Sequence, residues 1–160
     1  MTNRVKGTPE RGRIPLLLAM AYRAMTDHIQ ARLAEEGREP LRPGHGYTFR
    51  YLADRDEATA ADLAAHLGVT KQATAKIVAE LEEWGYVERR PHPADGRARV
   101  LALTDRGRDY ILVASEIWGE VEDEWASLVG ADRLAAVHDA LAAYVDHASD
   151  GGAPLLRPVW

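Results

Sequence analysis

Residues 60–81 read AADLAAHLGVTKQATAKIVAEL, and the fold is decided by how this stretch is divided. Two helical apolar patterns meet across Gly-Val-Thr. Leu63, Ala64 and Leu67 mark the inner face of the first, and Thr74, Ile77, Val78 and Leu81 that of the second. Two helices that cross at a steep angle need a small side chain at the crossing and a residue tolerant of positive φ just after it. Ala64 and Gly68 stand at those positions. Thr59 and Thr70 are suited to cap the two helix starts, because a hydroxyl can accept from the unpaired amides of a first turn. The spacing predicts a helix–turn–helix.

Downstream, Gly85 ends the second helix, and YVERR and RARVLAL read as two strands around PHPADG, a turn sequence. Period-two alternation is expected in the second strand, with Val100 and Ala102 on one face and Leu101 and Leu103 on the other. Thr104 restarts a helix whose stripe runs Tyr110, Ala114, Ile117, Trp118, Val121, Trp125 and Leu128. Gly130 breaks it, and Leu134, Val137, Leu141, Tyr144 and Val145 mark a last helix. Upstream, Pro15 suits a first turn, and Leu18, Ala21, Tyr22, Met25, Ile29 and Leu33 form a stripe ended by Gly37. A shorter helix from about Pro43 to Asp54 is expected to bury Tyr47, Tyr51 and Leu52. The predicted fold is mainly α with a small β-hairpin wing: a winged helix–turn–helix flanked by long N- and C-terminal helices.

With Thr74, Ile77, Val78 and Leu81 turned inward, the second helix of the motif presents Thr70, Lys71, Gln72, Ala75 and Lys76, with Ala73 beside them. This is the N-terminal half that enters a DNA major groove first. Gln72 has the donor–acceptor pair that matches adenine, and the lysines reach guanine or phosphate. Ala73 and Ala75 allow close approach. The hairpin carries Arg89, Arg90, Arg97 and Arg99 against Asp95. Arg97, at the loop tip, is placed for a minor groove, where arginine is favoured. Asp95 is expected to accept from the Arg97 guanidinium and hold it extended. Arg89, Arg90 and Arg99 are read either as phosphate contacts or as local ion pairs with Glu88 and the acids of 80–83.

The whole chain is acidic, with a net charge of −5 over 160 residues. Residues 109–160 hold 2 basic and 10 acidic side chains, whereas residues 66–108 hold 8 and 6, so the basic character lies where the motif is. No apolar run reaches the roughly 18 residues of a membrane span, and no signal-peptide pattern precedes the first helix. Zero cysteines exclude disulfides and thiolate metal sites. The six histidines form no metal-binding spacing, and no nucleophile–base set or phosphate loop is present. The expectation is a cytoplasmic protein that is not an enzyme, with no metal, no cofactor and no membrane partner.

The run GVTKQATAKIVAELEEWGYVERRPHPADGRARVLALTDRG, with the D-x-R wing Asp95-Gly96-Arg97 and the L-T-x-x-G of Leu103, Thr104 and Gly107, resembles the MarR family of transcription regulators. LRPGHGYTFRYL, residues 41–52, also resembles the segment that precedes the motif in that family. The resemblance covers residues 14–148. It implies a homodimer joined through the N- and C-terminal helices and bound to double-stranded DNA at a pseudo-palindromic operator, usually as a repressor. It also implies a small-molecule pocket between the dimerising and DNA-binding parts. The chain departs from the commonest pattern at Ala73, Thr74 and Ala75, and its lack of cysteine sets it apart from the peroxide-sensing branch. On this reading the DNA-binding residues are Thr70, Lys71, Gln72, Ala73, Thr74, Ala75, Lys76, Arg89, Arg90, Asp95, Arg97 and Arg99.

The implied organisation is a flexible basic arm at 1–13, a MarR-type domain at 14–148 and a tail at 149–160. Within the domain the winged helix–turn–helix spans about 43–104, and the dimerisation helices span about 14–36 and 106–148. Long stripes on those helices support self-association, which would set two recognition helices roughly 34 Å apart. Candidate lining for a small aromatic or anionic effector is Tyr22, Met25, His45, Tyr47 and Trp118, with a packed or capping role as the alternative for His45. The alternative function is a winged-helix protein-interaction or dimerisation module that does not touch DNA.

Overall fold

The computed structural model describes residues 11–55, 57–95 and 97–149. Most of the predicted N-terminal arm and C-terminal tail, and Gly96 in the wing, lie outside the described residues. Six helices and three strands follow in the order α1 (Ile14–Glu35), α2 (Pro43–Ala53), β1 (Ala58–Thr59), α3 (Ala60–Leu67), α4 (Lys71–Glu83), β2 (Val87–Pro91), β3 (Arg99–Leu103), α5 (Asp105–Val129) and α6 (Ala131–Ala148). The winged helix–turn–helix is present, with the long helices α1, α5 and α6 around it.

The turn between α3 and α4 forms as the residue types dictate. Gly68 takes φ 62° and ψ 29°, a left-handed conformation that suits a residue without a Cβ. The Val69 amide then donates to the Ala64 carbonyl at 3.3 Å. Thr59 caps α3 reciprocally: its hydroxyl accepts from the Asp62 amide at 3.2 Å, and the Asp62 carboxylate accepts from the Thr59 amide at 2.9 Å. Thr70 caps α4 by accepting from the Ala73 amide at 3.1 Å. Leu63, Leu67, Val78 and Leu81 are fully buried between the two helices and the sheet.

The hairpin is part of a three-stranded antiparallel sheet in the order β1-β3-β2. Ala58 pairs with Leu101 and Thr59 with Val100, while Val87 pairs with Leu103 and Pro91 with Arg99. A two-residue strand is too short to show a period, so β1 is absent from the sequence reading. Its presence makes β3 a central strand, and α2 and α5 both pack on it. Val100 and Ala102 on one face and Leu101 and Leu103 on the other are consequently all buried.

An aromatic cluster joins the winged part to the long helices. Phe49 of α2 stacks on Tyr110 of α5 with centroids 5.2 Å apart, and Tyr86 meets both edge-on. The polar ends of the tyrosines are satisfied at one residue: Tyr86 donates to the Glu39 carboxylate, and Tyr110 lies 3.3 Å from the Glu39 carbonyl. Arg106 closes the cluster with an ion pair to Glu39 at 2.8 Å. In α2 the buried residues are Gly44, His45, Thr48, Phe49, Tyr51 and Leu52, whereas Tyr47, expected inside, is only half-buried.

The long stripes behave differently from the winged core. Only Ile29 and Leu33 of α1 are buried, and α6 buries no residue at all in the single chain. Ile14, Leu16, Leu17, Met20 and Tyr144 are exposed, and Leu128, expected inside, is 84% exposed. Among the described residues no helix is long and apolar enough to cross a membrane.

The tightest backbone approach lies at Gly107 in the first turn of α5. A Cβ there would sit 2.2 Å from the Tyr86 carbonyl oxygen, which itself accepts the Thr104 amide at the base of the wing. Gly107→Ala is expected to destabilise the fold by about 3 kcal/mol, because backbone rather than a flexible side chain must move. Urea unfolding of the two proteins checks this, and an unchanged midpoint would contradict it.

Candidate nucleic-acid interface

The first two turns of α4 carry one face outward. Lys71, Gln72, Ala73, Ala75 and Lys76 are exposed, and Thr70 is exposed beside them as the cap. Thr74 is 1% exposed, and its hydroxyl donates back to the Thr70 carbonyl at 3.2 Å. Its inclusion among the DNA-facing residues is therefore corrected. Four residues separate Thr74 from Val78, so it lies on the same inward stripe. Two lysines, one amide side chain and two alanines remain, together with the amides that point out of a helix N-terminus.

The wing is organised by backbone contacts. Asp95 accepts a hydrogen bond from the Arg97 amide at 3.0 Å, not from the expected guanidinium, and the Ala98 amide donates to the Asp95 carbonyl at 3.0 Å. A short side chain two residues away reaches the main chain more readily than a long side chain's tip. Asp95 thus shapes the turn. The Arg97 guanidinium makes no hydrogen bond or ion pair among the described residues. Across the hairpin, His92 donates its amide to the Ala98 carbonyl at 3.1 Å, closing the loop.

The two readings left open for the strand arginines separate here. Arg89 pairs with Glu82 at 3.0 Å and Arg90 with Glu88 at 2.7 Å, both partly exposed local contacts. Such pairs are worth about 0–1 kcal/mol and exchange readily for another anion. Arg99 is exposed and makes no ion pair among the described residues.

A cavity of about 550 Å³ lies between α1, α2 and α5. Tyr22, Tyr47 and Trp118 line it as expected, joined by Gln30, Arg42 and Arg50. Met25 does not: it lines an adjoining groove with Trp125 and Leu141, which shares Tyr22 with the cavity. His45 does not either. It is 1% exposed and caps α2, its Nδ1 accepting from the Arg42 amide at 3.1 Å while Nε2 meets Glu80 at 2.8 Å. Burial and the Tyr47 hydroxyl push the Tyr22 phenol up to about 12, so it is a neutral group in the cavity wall.

Glu80 was legible only as one acid in a run of three. In the fold it leaves the recognition helix toward α2 and accepts from both Arg42 and His45. The Arg42 guanidinium holds the Glu80 carboxyl below its ordinary value. Burial holds His45 below the ordinary imidazole value, against the opposing pull of Glu80. Because Nδ1 accepts the Arg42 amide, the neutral ring carries its proton on Nε2, directed at Glu80.

The comparisons with known proteins agree with this architecture. Residues 40–98 match the model of the MarR family. An HTH-type transcriptional regulator of Mycobacterium tuberculosis is 29% identical over 87 residues, covering 54% of this chain and 55% of the relative. The chain thus spans about half the length of the curated relatives it matches. A MarR transcriptional regulator from Methanosarcina mazei is similar in structure, with a TM-score of 0.69, 20% identity, and coverage of 86% of this chain and 96% of that one. The transcriptional repressor CouR, solved bound to a 23-mer DNA duplex, gives a TM-score of 0.66 at 22% identity, covering 86% and 99% of the two chains.

The buried imidazole makes stability depend on pH. Its folded value lies below that of the unfolded chain, so the unfolded state takes up the proton first as pH falls. Stability is then lost below about pH 6.5, the free imidazole value. Urea unfolding at pH 7.5 and pH 5.5 should show a smaller acid loss for His45→Gln than for the parent; equal losses would contradict this assignment.

Proposed function

We propose that the protein is a MarR-family transcription regulator, as the match of residues 40–98 to that family's model supports, and that it reads double-stranded DNA as a homodimer. It acts as a repressor on a pseudo-palindromic operator. The observation that carries this reading is the outward face of α4. Lys71, Gln72 and Lys76 are exposed on it while the opposite face is buried, and Arg97, which forms no ion pair among the described residues, stands on the neighbouring wing.

The division of labour follows from chemistry. Gln72 offers the amide pair that fits adenine in the major groove, and Lys71 and Lys76 supply charge toward guanine or phosphate. Arg97 enters the adjoining minor groove. Arg89, Arg90 and Arg99 neutralise backbone charge, the first two by exchanging Glu82 and Glu88 for phosphate. A protein-interaction module would instead carry an apolar face on α4.

Dimerisation is supported by what α1 and α6 leave uncovered. Ile14, Leu16, Leu17, Met20, Tyr144 and Val145 form exposed apolar surface on helices outside the winged core. Burying it against a second copy satisfies the hydrophobic effect and links two readers, which multiplies affinity. The cavity between α1, α2 and α5 accommodates a small aromatic anion: Tyr47 and Trp118 offer ring faces, and Arg42 and Arg50 offer positive charge. Occupation of it lowers DNA affinity.

Selection from a random duplex library, followed by gel shift at two salt concentrations, tests the reading. A two-fold-symmetric site whose affinity falls steeply with salt is expected; no enriched duplex would refute it. On the selected duplex, Arg97→Ala should cost more than about 1 kcal/mol of binding without change of fold or oligomeric state. Gln72→Ala should relax base preference at one position in each half-site, and an unchanged preference profile would remove Gln72 from base reading.

A further inference from the structure

A groove of about 370 Å³ runs between α1, α5 and α6. Leu18 and Met25 of α1, Trp125 of α5 and Leu134, Val137 and Leu141 of α6 line it. Leu18 is 41% and Leu141 38% exposed, and α6 buries none of its residues, so no described residue covers this apolar floor. Glu122 is the one acid on the groove wall. Its neighbours Glu120 and Glu124 are paired with Arg32 and His28, whereas Glu122 forms no ion pair among the described residues. The chain that follows α6, outside the described residues, has the complementary chemistry. Residues 153–160 read APLLRPVW, with Leu155, Leu156, Val159 and Trp160 as large apolar groups and Arg157 as the only charged side chain. Arg157 is also one of just two basic side chains in residues 109–160. Pro154 and Pro158 fix φ and lack an amide hydrogen, which favours an extended segment of the kind that lies along aromatic-lined grooves.

We propose that residues 155–160 dock in this groove of their own chain, with their apolar side chains against Met25, Trp125 and Leu141 and with Arg157 paired to Glu122. The reach is sufficient. Leu141 and Leu134 lie about 10 and 21 Å back along the helix axis from Ala148, at 1.5 Å per residue. Residues 149–154 span up to about 20 Å when extended, and Gly151 and Gly152 permit the reversal of direction. Burial of apolar surface on both sides drives the contact, and the single ion pair fixes its register. The groove does not compete with the whole of the apolar surface left for a second copy. Leu18 and Met25, seven apart, share the groove face of α1, whereas Leu16 and Met20, four apart, share another and are 56% and 60% exposed. Neither DNA nor an effector takes part in this contact, so it goes beyond the reading above and does not fall with it.

The absence of cysteine from the sequence makes disulfide trapping in the full chain a direct test. Leu141→Cys is combined with Leu155→Cys or with Leu156→Cys, because adjacent side chains of an extended segment point to opposite sides and one of the two must face the groove. Met20→Cys with the same tail positions is the control on the other face of α1. Leu141 and Met20 are both partly or largely exposed, so neither substitution opens the core. Under mild oxidation, one Leu141 pair should close within a single chain at least about tenfold faster than either Met20 pair, as a docked tail raises the local thiol concentration. In that faster pair, Glu122→Arg or Arg157→Glu alone should slow closure about threefold, the size of an exposed ion pair, and the two together should restore it. Equal closure at Leu141 and Met20 would overturn the docking. So would a product of twice the chain mass, which would mean that the groove holds the tail of a second copy. A charge exchange that fails to restore the rate would overturn the assigned Arg157–Glu122 register.

Discussion

The architecture depends on one turn of backbone, residues 67–70, where the chain leaves α3 and enters α4. Gly68 occupies a left-handed conformation that a side chain would strain, and this redirects the chain within three residues. Ala64, nearly buried at the crossing, lets the helices close on each other, and Leu63, Leu67 and Val78 fill the angle. Once that angle is set, the inward stripe of α4 leaves Lys71, Gln72 and Lys76 nowhere to point but out. The wing follows because Gly85, at φ 74°, turns the chain straight from α4 into β2. An interface made of a helix start and a hairpin tip is therefore a consequence of packing on the other side.

Electrostatics explains how an acidic protein can present such an interface. The net charge of −5 is concentrated in the C-terminal third, on α5 and α6, away from the motif. At the motif, positive charge is sorted by local pairing. Arg89 and Arg90 are partly neutralised by Glu82 and Glu88, while Lys71, Lys76, Arg97 and Arg99 form no ion pair within the described residues. At physiological salt the field decays over about 8 Å, so distant acids matter little to a phosphate in contact with these groups.

The residues that were legible in the sequence are those whose neighbours are local. The caps Thr59 and Thr70, the positive-φ Gly68 and the stripe on α4 each act within four positions. What could not be read is long-range. β1 is two residues long and exists only through its pairing with β3, which it makes the central strand. Phe49 carries no local signal of its role because its partners, Tyr86 and Tyr110, lie far along the chain. Glu80 looked like one of several solvated acids until α2 was placed beside it. At the candidate site Asp95 prefers the nearby main chain to the tip of the Arg97 side chain, whereas Thr74 is buried on the inward stripe where its spacing to Val78 already placed it, so only its place among the DNA-facing residues fails. Met25 lines the adjoining groove and His45 is buried as a cap against Glu80, so neither reaches the cavity assigned to them.

The central claim, that the outer face of α4 and the wing together engage DNA, is tested most directly by amide hydrogen exchange of the full chain with and without a bound duplex. The account predicts slowed exchange confined to the start of α4, residues 70–76, and the wing around Arg97, with the long helices α5 and α6 unaffected. Protection on α1 or α6, with α4 and the wing unchanged, would contradict it.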